Sequence, residues 1–244
     1  MMNPILILTH NNLDLTQKCV DSAARQDCGD LYLAIIDNHS TDGTKEWLSY
    51  LLFLNRQFNF NGIEIMCWMD NKGVSRGWNA GLNNLFYDPD VEHVLVINND
   101  VVLPPMFYSE MLKRNVPFVT GAAVEEMESI AQVPIGANLT VGANFSAFLI
   151  RREAWEKVGP FDERMKFYAQ DCDYDIRAHQ LGITLWNAHV HFYHERSSTL
   201  RLASPEEKAA ILQQANKDRE VFRQKWNCLP GTKEYSELLQ SAVC

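Results

Sequence analysis

The sequence predicts an α/β fold with a mostly parallel central sheet flanked by helices, and three observations carry that prediction. Short apolar runs alternate with helix-periodic segments through the first half of the chain. The runs at 31–37 and 93–98 are apolar almost without interruption, as strands buried on both faces are. Both runs end on polar residues, Asp37 in the first and Asn98-Asn99-Asp100 in the second. A β-α-β-α-β-α-β order of this kind implies parallel strands joined by helical crossovers.

Taken in order, PILILTH (4–10) reads as the first strand and 13–26 as a helix. LYLAIID (31–37) is the second strand. It is followed by a helix from about 43 to 55, in which Trp47 and Leu51, and Leu48 and Leu52, pair at i,i+4. IEIMCWM (63–69), a helix over 75–86 and HVLVIN (93–98) complete the regular half. PFVTGAAV (117–124) and NFSAFLIRR (144–152) have strand character, while 125–143 shows no period and suggests a loop able to cover a site. DCDYDIRAHQLG (171–182) reads as a helix with Gly182 as its C-cap. Ser204-Pro205-Glu206-Glu207 aligns an N-cap serine, an N1 proline and an N3 glutamate, a capping box that opens a helix to about Trp226. Ile211, Ala215, Phe222 and Trp226 give that helix one apolar face, the pattern of a packing helix.

The 244 residues are 46% hydrophobic, enough for one large domain or two joined halves. A net charge of -9 argues against a broad electrostatic grip on nucleic acid or anionic membrane. The opening MMNPILILTHNN lacks the basic region and apolar length of a signal peptide, and no apolar run approaches the roughly 20 residues of a membrane span. Six cysteines are scattered without CxxC or Cys/His ligand spacing, which reads as reduced thiols in a cytoplasmic protein. Sequons at Asn38, Asn138 and Asn144 carry little weight without a secretory signal.

In open parallel sheets, ligands sit outside the carboxyl ends of the strands, where Asp37 and Asp100 are expected. Taken singly, either aspartate serves equally well as a turn or cap residue. The polar stretch 37–44 leads into a helix, whose first backbone N–H groups suit a nucleotide's phosphates. No GxGxxG follows the first strand and no GxxxxGK[ST] occurs, which argues against dinucleotide redox chemistry and P-loop hydrolysis.

In order along the chain stand ILTHNN, AIIDNHSTDGTKEWL, NKGVSRGWNAGL, VINNDVVL, FDERMKFYAQDCDYDIRAHQLG and HFYHERSS. This succession resembles the family 2 glycosyltransferases of GT-A fold, and is most similar in flavour to their rhamnosyltransferase-like subgroup. The resemblance covers about residues 3 to 198. It implies a single catalytic domain over 1–200, with 1–124 as the nucleotide-sugar-binding half, 125–200 as the acceptor and catalytic half, and 201–244 as a C-terminal helical extension.

The resemblance also implies an inverting transfer of a sugar from a nucleotide-diphosphate donor, UDP-, GDP- or dTDP-linked, to an acceptor hydroxyl. Thr9 and Asn11 match the end of the family's first strand, and Asp37 the residue that meets the nucleoside base. Asp70 and Asn71 lie on the same rim, while Arg76 and Asn79 stand where the family holds nucleotide and diphosphate. Arg76 read alone is a solvated helix-face arginine. VINND occupies the place of the family's DxD motif, with Asp100 as the one strong ligand for a divalent cation, Mn²⁺ or Mg²⁺. Asn99 offers a neutral oxygen or a bond to the ribose. His194, with Ser198 four residues on, matches the subgroup's second metal ligand, and His191 is the fallback.

FYAQDCDYDIR matches the family's ED motif, so the resemblance makes Asp171 the general base and Gln170 an acceptor contact. The bland reading of that acidic cluster is a solvated helix start favoured by the macrodipole. Trp78, Trp155, Phe167, Tyr168 and Trp186 are candidates to pack on sugar faces, although aromatics in such numbers are more often core. Acceptors in the family include saccharides, glycolipids and proteins, and a modified nucleic-acid base stays open; oligomeric state is not legible. A catalytically silent nucleotide-sugar-binding module of the same fold is the alternative, motivated by the amides at 98, 99 and 170. A sugar-1-phosphate nucleotidyltransferase shares the sheet but needs a glycine-rich N-terminal phosphate loop that this sequence lacks.

Overall fold

A computed structural model describes residues 2–53, 57–130, 139–195, 201 and 203–240. The first half alternates β1 (Asn3–Thr9), α1 (Leu13–Ala24), β2 (Leu31–Asp37), α2 (Thr44–Phe53), β3 (Gly62–Cys67), α3 (Val74–Leu85) and β4 (His93–Asn98). Then come β5 (Val101–Val102), α4 (Phe107–Lys113), β6 (Phe118–Val124), β7 (Thr140–Val141) and β8 (Ala147–Arg151). The chain continues through α5 (Arg152–Val158), α6 (Gln170–Gln180), β9 (Trp186–His194), α7 (Pro205–Trp226) and α8 (Lys233–Gln240).

All strands join one sheet in the order β3-β2-β1-β4-β8-β6-β9-β5, with β7 paired to β9. β3, β2, β1 and β4 are mutually parallel, as their helical crossovers require. β8 runs antiparallel between β4 and β6, and β5 and β7 run antiparallel to β9, so the sheet is mixed beyond β4. No α-helix is described between β6 and β8, and an antiparallel return needs none.

Strand alternation sends odd and even residues to opposite faces. Ile5, Ile7, Leu33, Ile35, Leu95 and Ile97 pack with α1, α2 and α4 on one face. Leu6, Leu8, Ala34, Ile36, Val94 and Val96 pack with α3, α5 and α6 on the other. α3 lies close enough to β1 that a Cβ at Gly77 or Gly81 would run into Leu8 or Leu6. Phe222 and Cys228 join Met165, Ala169 and Ile176 in a third cluster, which seats α7 and α8 on α6.

The expected elements are found with shifted ends. The strand expected over 63–69 stops at Cys67, and Met69 beyond it is exposed. Gly182 lies one place past the α6 C-cap, Leu181, and is left-handed at φ 72°. The capping box of α7 forms, with Glu207 N donating to Ser204 Oγ and Ser204 N donating to Glu207 Oε2. The aperiodic 125–143 stretch contains one 3-10 turn (Met127–Ser129) and β7, while its 131–138 portion lies outside the described residues. The helix expected to reach 55 is described to Phe53. The pattern did not show α4 and α5, each only seven residues long.

Candidate active site

The carboxyl ends of β1, β2 and β4 open onto a cleft of about 510 Å³. Thr9, His10, Asn38 and Asn71 line the wall formed by the parallel strands. Asn98, Asn99 and Asp100 enter at the end of β4, Phe145 and Ser146 precede β8, and Phe167, Tyr168, Gln170 and Asp171 lead into α6. Ile211 of α7 closes one side. The cleft continues past His10, Asn71, Phe167 and Ile211 into an annex lined by Asn11, Asp42, Glu207 and Gln214.

Left-handed backbone at Asn11 (φ 56°) and Asn12 (φ 62°) turns the chain from β1 into α1, a conformation asparagine tolerates better than most residues. Asn11 N donates to Ser40 Oγ at 2.7 Å, and Thr41 N donates to Asn11 Oδ1 at 2.8 Å, so this turn is locked to the loop after β2. Across the sheet, the amide nitrogen of Asn99 reaches Thr16 Oγ1 (2.9 Å), the Asn11 carbonyl (3.0 Å) and Thr9 Oγ1 (3.1 Å). Thr9 and Thr16 hydroxyls are themselves 2.9 Å apart.

Asp100 and His194 stand 94 positions apart in the chain and meet. Antiparallel pairing of β5 with β9 sets Val101 opposite His194, which brings His194 Nε2 to 3.3 Å from Asp100 Oδ1. Ser146 Oγ lies 3.2 Å from the other ring nitrogen and fixes the ring's orientation. His191 is three residues earlier on β9, an odd interval that turns it to the opposite face. Ser198 lies outside the described residues. A carboxylate and an imidazole suit a divalent cation that keeps other positions for substrate oxygens. Among the described residues no cluster of three or more His, Cys, Asp or Glu could hold a metal unaided. The pair could therefore hold a cation only together with oxygens from another source.

α6 brings Asp171 to the same cleft from the opposite wall. Its Oδ1 accepts a hydrogen bond from Cys172 N at 2.8 Å. Burial raises its carboxyl above the ordinary value, and that backbone bond offsets only part of the rise. The neighbouring Cys172 thiol is pushed up to about 12 by burial and by Asp171. Asp173, two residues on, is handled differently. Arg177 Nε at 2.8 Å and Lys225 Nζ at 2.7 Å neutralise it, and Trp226 Nε1 donates to it at 2.9 Å. The acidic cluster is thus divided, with one carboxylate facing the cleft and one tied into the scaffold.

Other expected residues are placed less directly. Asn71 lines the cleft while its Oδ1 accepts from Asn38 Nδ2 and Gly73 N. Asp37 is fully buried behind the wall, its carboxylate accepting from Ser40 N. Asp70 is exposed and pairs with Lys72 at 3.6 Å, and Arg76 is exposed and pairs with Glu163 at 3.6 Å; neither lines the cleft. Asn79 is buried away from it. Its amide brackets Phe161, donating to the carbonyl at 2.9 Å and accepting from the N–H at 2.8 Å. Asn79 thus straps α3 to the 159–165 turn. Of the aromatic candidates, Trp78, Phe167 and Tyr168 reach the cleft, while Trp155 and Trp186 do not line it. Asn38 is buried with both amide atoms bonded, which removes it as a glycan acceptor.

Sequence reasoning missed three contributors. His10 lines the cleft, and burial lowers its imidazole pKa. Ser146 orients His194. Asp218 of α7, fully buried, accepts from Phe167 N (2.9 Å) and Tyr168 N (3.1 Å) through one oxygen and from Gln214 Nε2 (2.7 Å) through the other. A lone aspartate on a polar helix carries no periodic signal that would have marked it.

The parallel β1–β4 half, the antiparallel β8 and the cleft at the strand ends define a GT-A fold. A mannosyltransferase from Pyrobaculum calidifontis, solved with GDP-Man and Mn²⁺, superposes with a TM-score of 0.65 at 15% identity, over 98% of this chain and 68% of that one. GalNAc-T7, solved with UDP, GalNAc and Mn²⁺, gives 0.64 at 10% identity, over 98% of this chain and 56% of that one. S. aureus TarS 1-349 with UDP gives 0.58 at 13% identity, over 99% of this chain and 70% of that one. At the sequence level, residues 5–115 match the glycosyl transferase family 2 model. The PGL/p-HBAD biosynthesis glycosyltransferases of Mycobacterium bovis and Mycobacterium tuberculosis are 25% identical over 189 residues, 72% of this chain and 69% of theirs. The chain is a glycosyltransferase enzyme.

Proposed function

We propose that the protein is an inverting glycosyltransferase that moves a sugar from a nucleotide-diphosphate donor to an acceptor hydroxyl. The observation that carries this reading is the convergence of two chemistries on one cleft, the Asp100–His194 pair and the desolvated carboxyl of Asp171. Asp171 takes the acceptor's proton. The acceptor oxygen then bonds to the anomeric carbon on the face opposite the departing diphosphate, whose bond to that carbon breaks. Burial favours the protonated form of Asp171, which makes it a stronger base than an exposed aspartate. A cation held by Asp100 and His194, Mn²⁺ or Mg²⁺, would supply charge neutralisation of the leaving diphosphate. Thr9, His10, Asn38 and Asn71 hold the nucleotide end, and Ile211 with Phe167 shields the cleft from water.

The solved relatives carry GDP-Man, UDP and UDP-GlcNAc, which supports a UDP- or GDP-linked donor, with dTDP the third candidate. The order of motifs ending in HFYHERSS supports the rhamnosyltransferase-like subgroup. The five described cysteines are free, in keeping with a cytoplasmic enzyme, and no described helix is long and apolar enough to cross a membrane. Residues 1–200 make up the catalytic domain in this reading, and the α7–α8 extension braces its catalytic helix.

Melting temperatures with UDP, GDP and dTDP, each with and without Mn²⁺, test donor and metal together, since a ligand at one hundred times its Kd stabilises by about 2.7 kcal/mol. Asp171→Asn is then expected to keep donor binding and lose transfer. Full activity in that variant would refute Asp171 as the base. Donor binding by wild type with no turnover on any acceptor or on water would make the chain a silent binding module.

A further inference from the structure

Asp175 is a carboxylate that α6 does not need for its own stability. It is the sixth residue of that helix, past the first turn in which the macrodipole favours a negative charge, and aspartate is a poor helix former. It is half-buried, and among the described residues no lysine or arginine acts on it. The other shielded acids nearby are committed to the scaffold. Asp173 serves Arg177, Lys225 and Trp226, Asp162 serves Arg164 and Lys225, and Asp218 serves the N–H groups of Phe167 and Tyr168. Asp175 Oδ2 instead accepts from the Tyr235 hydroxyl of α8, at 3.4 Å.

The helix sets where Asp175 stands relative to the proposed base. Residues four apart share a helix face, with Cβ atoms roughly 6 Å apart, so Asp171 and Asp175 are one turn from each other. Tyr235 spans the pair. Its hydroxyl bonds Asp175 and also feels Cys172 and Asp171, and burial beside them pushes the phenol up, so it stays a donor. Leu238 and Leu239 of α8 pack on the same apolar cluster as Cys172 and Tyr235, which seats the helix there. Burial raises the Asp175 carboxyl, the Tyr235 bond and His179 oppose that rise, and Asp171 adds to it. Among the described residues, the titratable groups acting on the two carboxyls are thus each other, Cys172 and His179 on α6, and Tyr235 on α8. We infer that Asp175 is a positioning residue for the proposed base: held by the Tyr235 hydroxyl, its negative charge makes Asp171 take up the acceptor's proton more readily. The inference rests on Asp171 as the base of the proposed transfer and brings the C-terminal helix into that chemistry.

Asp175→Asn tests it, because the amide keeps the shape and an oxygen for Tyr235 while removing the charge. Carboxyl carbon-13 labelling of aspartate follows the base directly by NMR, with the Asp171 resonance identified by its loss in Asp171→Asn. A unit charge roughly 6 Å away, in a medium between a protein surface and bulk water, moves a neighbour's titration by about one pH unit. The Asp171 midpoint is therefore expected to fall by about one pH unit in Asp175→Asn. Tyr235→Phe lets Asp175 keep its proton to higher pH and should lower the Asp171 midpoint by less. The acid limb of kcat/KM, measured on UDP-glucose or GDP-mannose with water as acceptor, should move to lower pH with the midpoint. An Asp171 midpoint that is unmoved or raised in either variant would overturn the inference; a merely structural role predicts that result, with rates lowered equally at every pH. A midpoint that moves while the acid limb stays would show that Asp171 is not the base, and the inference would fall with that reading. Failure of wild type to turn over either donor would count against the glycosyl-transfer reading, and the NMR titration would still decide whether Asp175 sets the proton affinity of Asp171.

Discussion

Replacing Asp218 with alanine is expected to destabilise the protein and to loosen the chain segment that leads α6 into the cleft. Asp218 Oδ2 is the acceptor for Phe167 N and Tyr168 N, at 2.9 and 3.1 Å, in a fully buried setting. Alanine would leave both N–H groups without an acceptor. Each such loss costs about 1–3 kcal/mol, and allowing for partial relaxation of the segment toward water we expect about 3 kcal/mol in total. For a chain of this size one kcal/mol moves the midpoint by about 2–4 °C, so the melting temperature should fall by about 6–12 °C. Asp218→Asn keeps an oxygen for the two donors and should lose no more than about 1 kcal/mol. Equilibrium urea unfolding of both variants measures the difference, and initial rates should follow the same order. An alanine variant within about 1 kcal/mol of wild type, or an asparagine variant as damaged as alanine, would refute the bracing role.

Asp171→Asn should also reveal its buried carboxyl through stability. Because the folded-state pKa is raised, the native protein binds more protons than the unfolded chain between the ordinary carboxyl value of 3.8 and the folded value. Wild type therefore loses stability as pH rises through that window, and the asparagine variant should melt higher at neutral pH, with the gap closing as pH falls toward 4. Equal melting temperatures at both ends of the range would contradict the raised value. Gly81→Ala should cost about 1–2 kcal/mol in urea unfolding, since overpacking against Leu6 outweighs the gain in helix propensity; an unchanged midpoint would mean that α3 shifts freely on β1. His194→Ala should abolish the extra melting-temperature rise that Mn²⁺ gives in the presence of UDP or GDP. Persistence of that increment would place the cation elsewhere.

Much of the parallel half was legible because its signals are local. Apolar strands and 3.6-residue periodicity set β1 to β4 and their helices. The meeting of Asp100 and His194 was readable only through the order of motifs, since nothing in composition links residues 94 positions apart. The antiparallel insertion of β8 between β4 and β6 leaves no trace in periodicity, because an apolar strand reads the same in either direction. Asn79, Asp70 and Arg76 show where sequence position and geometry part. Their sequence places suggested ligand contacts, yet Asn79 is committed to the backbone of Phe161, and the other two pair with charges at the exposed rim. Asp218 and Ser146 were invisible because each acts through hydrogen bonds across the fold, which single-residue identity does not encode.

The Asn99 amide, whose nitrogen serves Thr9, Thr16 and the carbonyl of Asn11, changes how VINND compares with a motif of two acids. Threonine hydroxyls could turn their hydrogens toward a carboxylate, but the Asn11 carbonyl has none to turn. An aspartate at 99 would set lone pair against lone pair at a separation now bridged at 3.0 Å. The amide is therefore the residue that this first-strand turn demands. Restoring an acid there, in a redesigned catalyst or in a search for kindred chains, would require rebuilding the Thr9–Asn11 turn along with it.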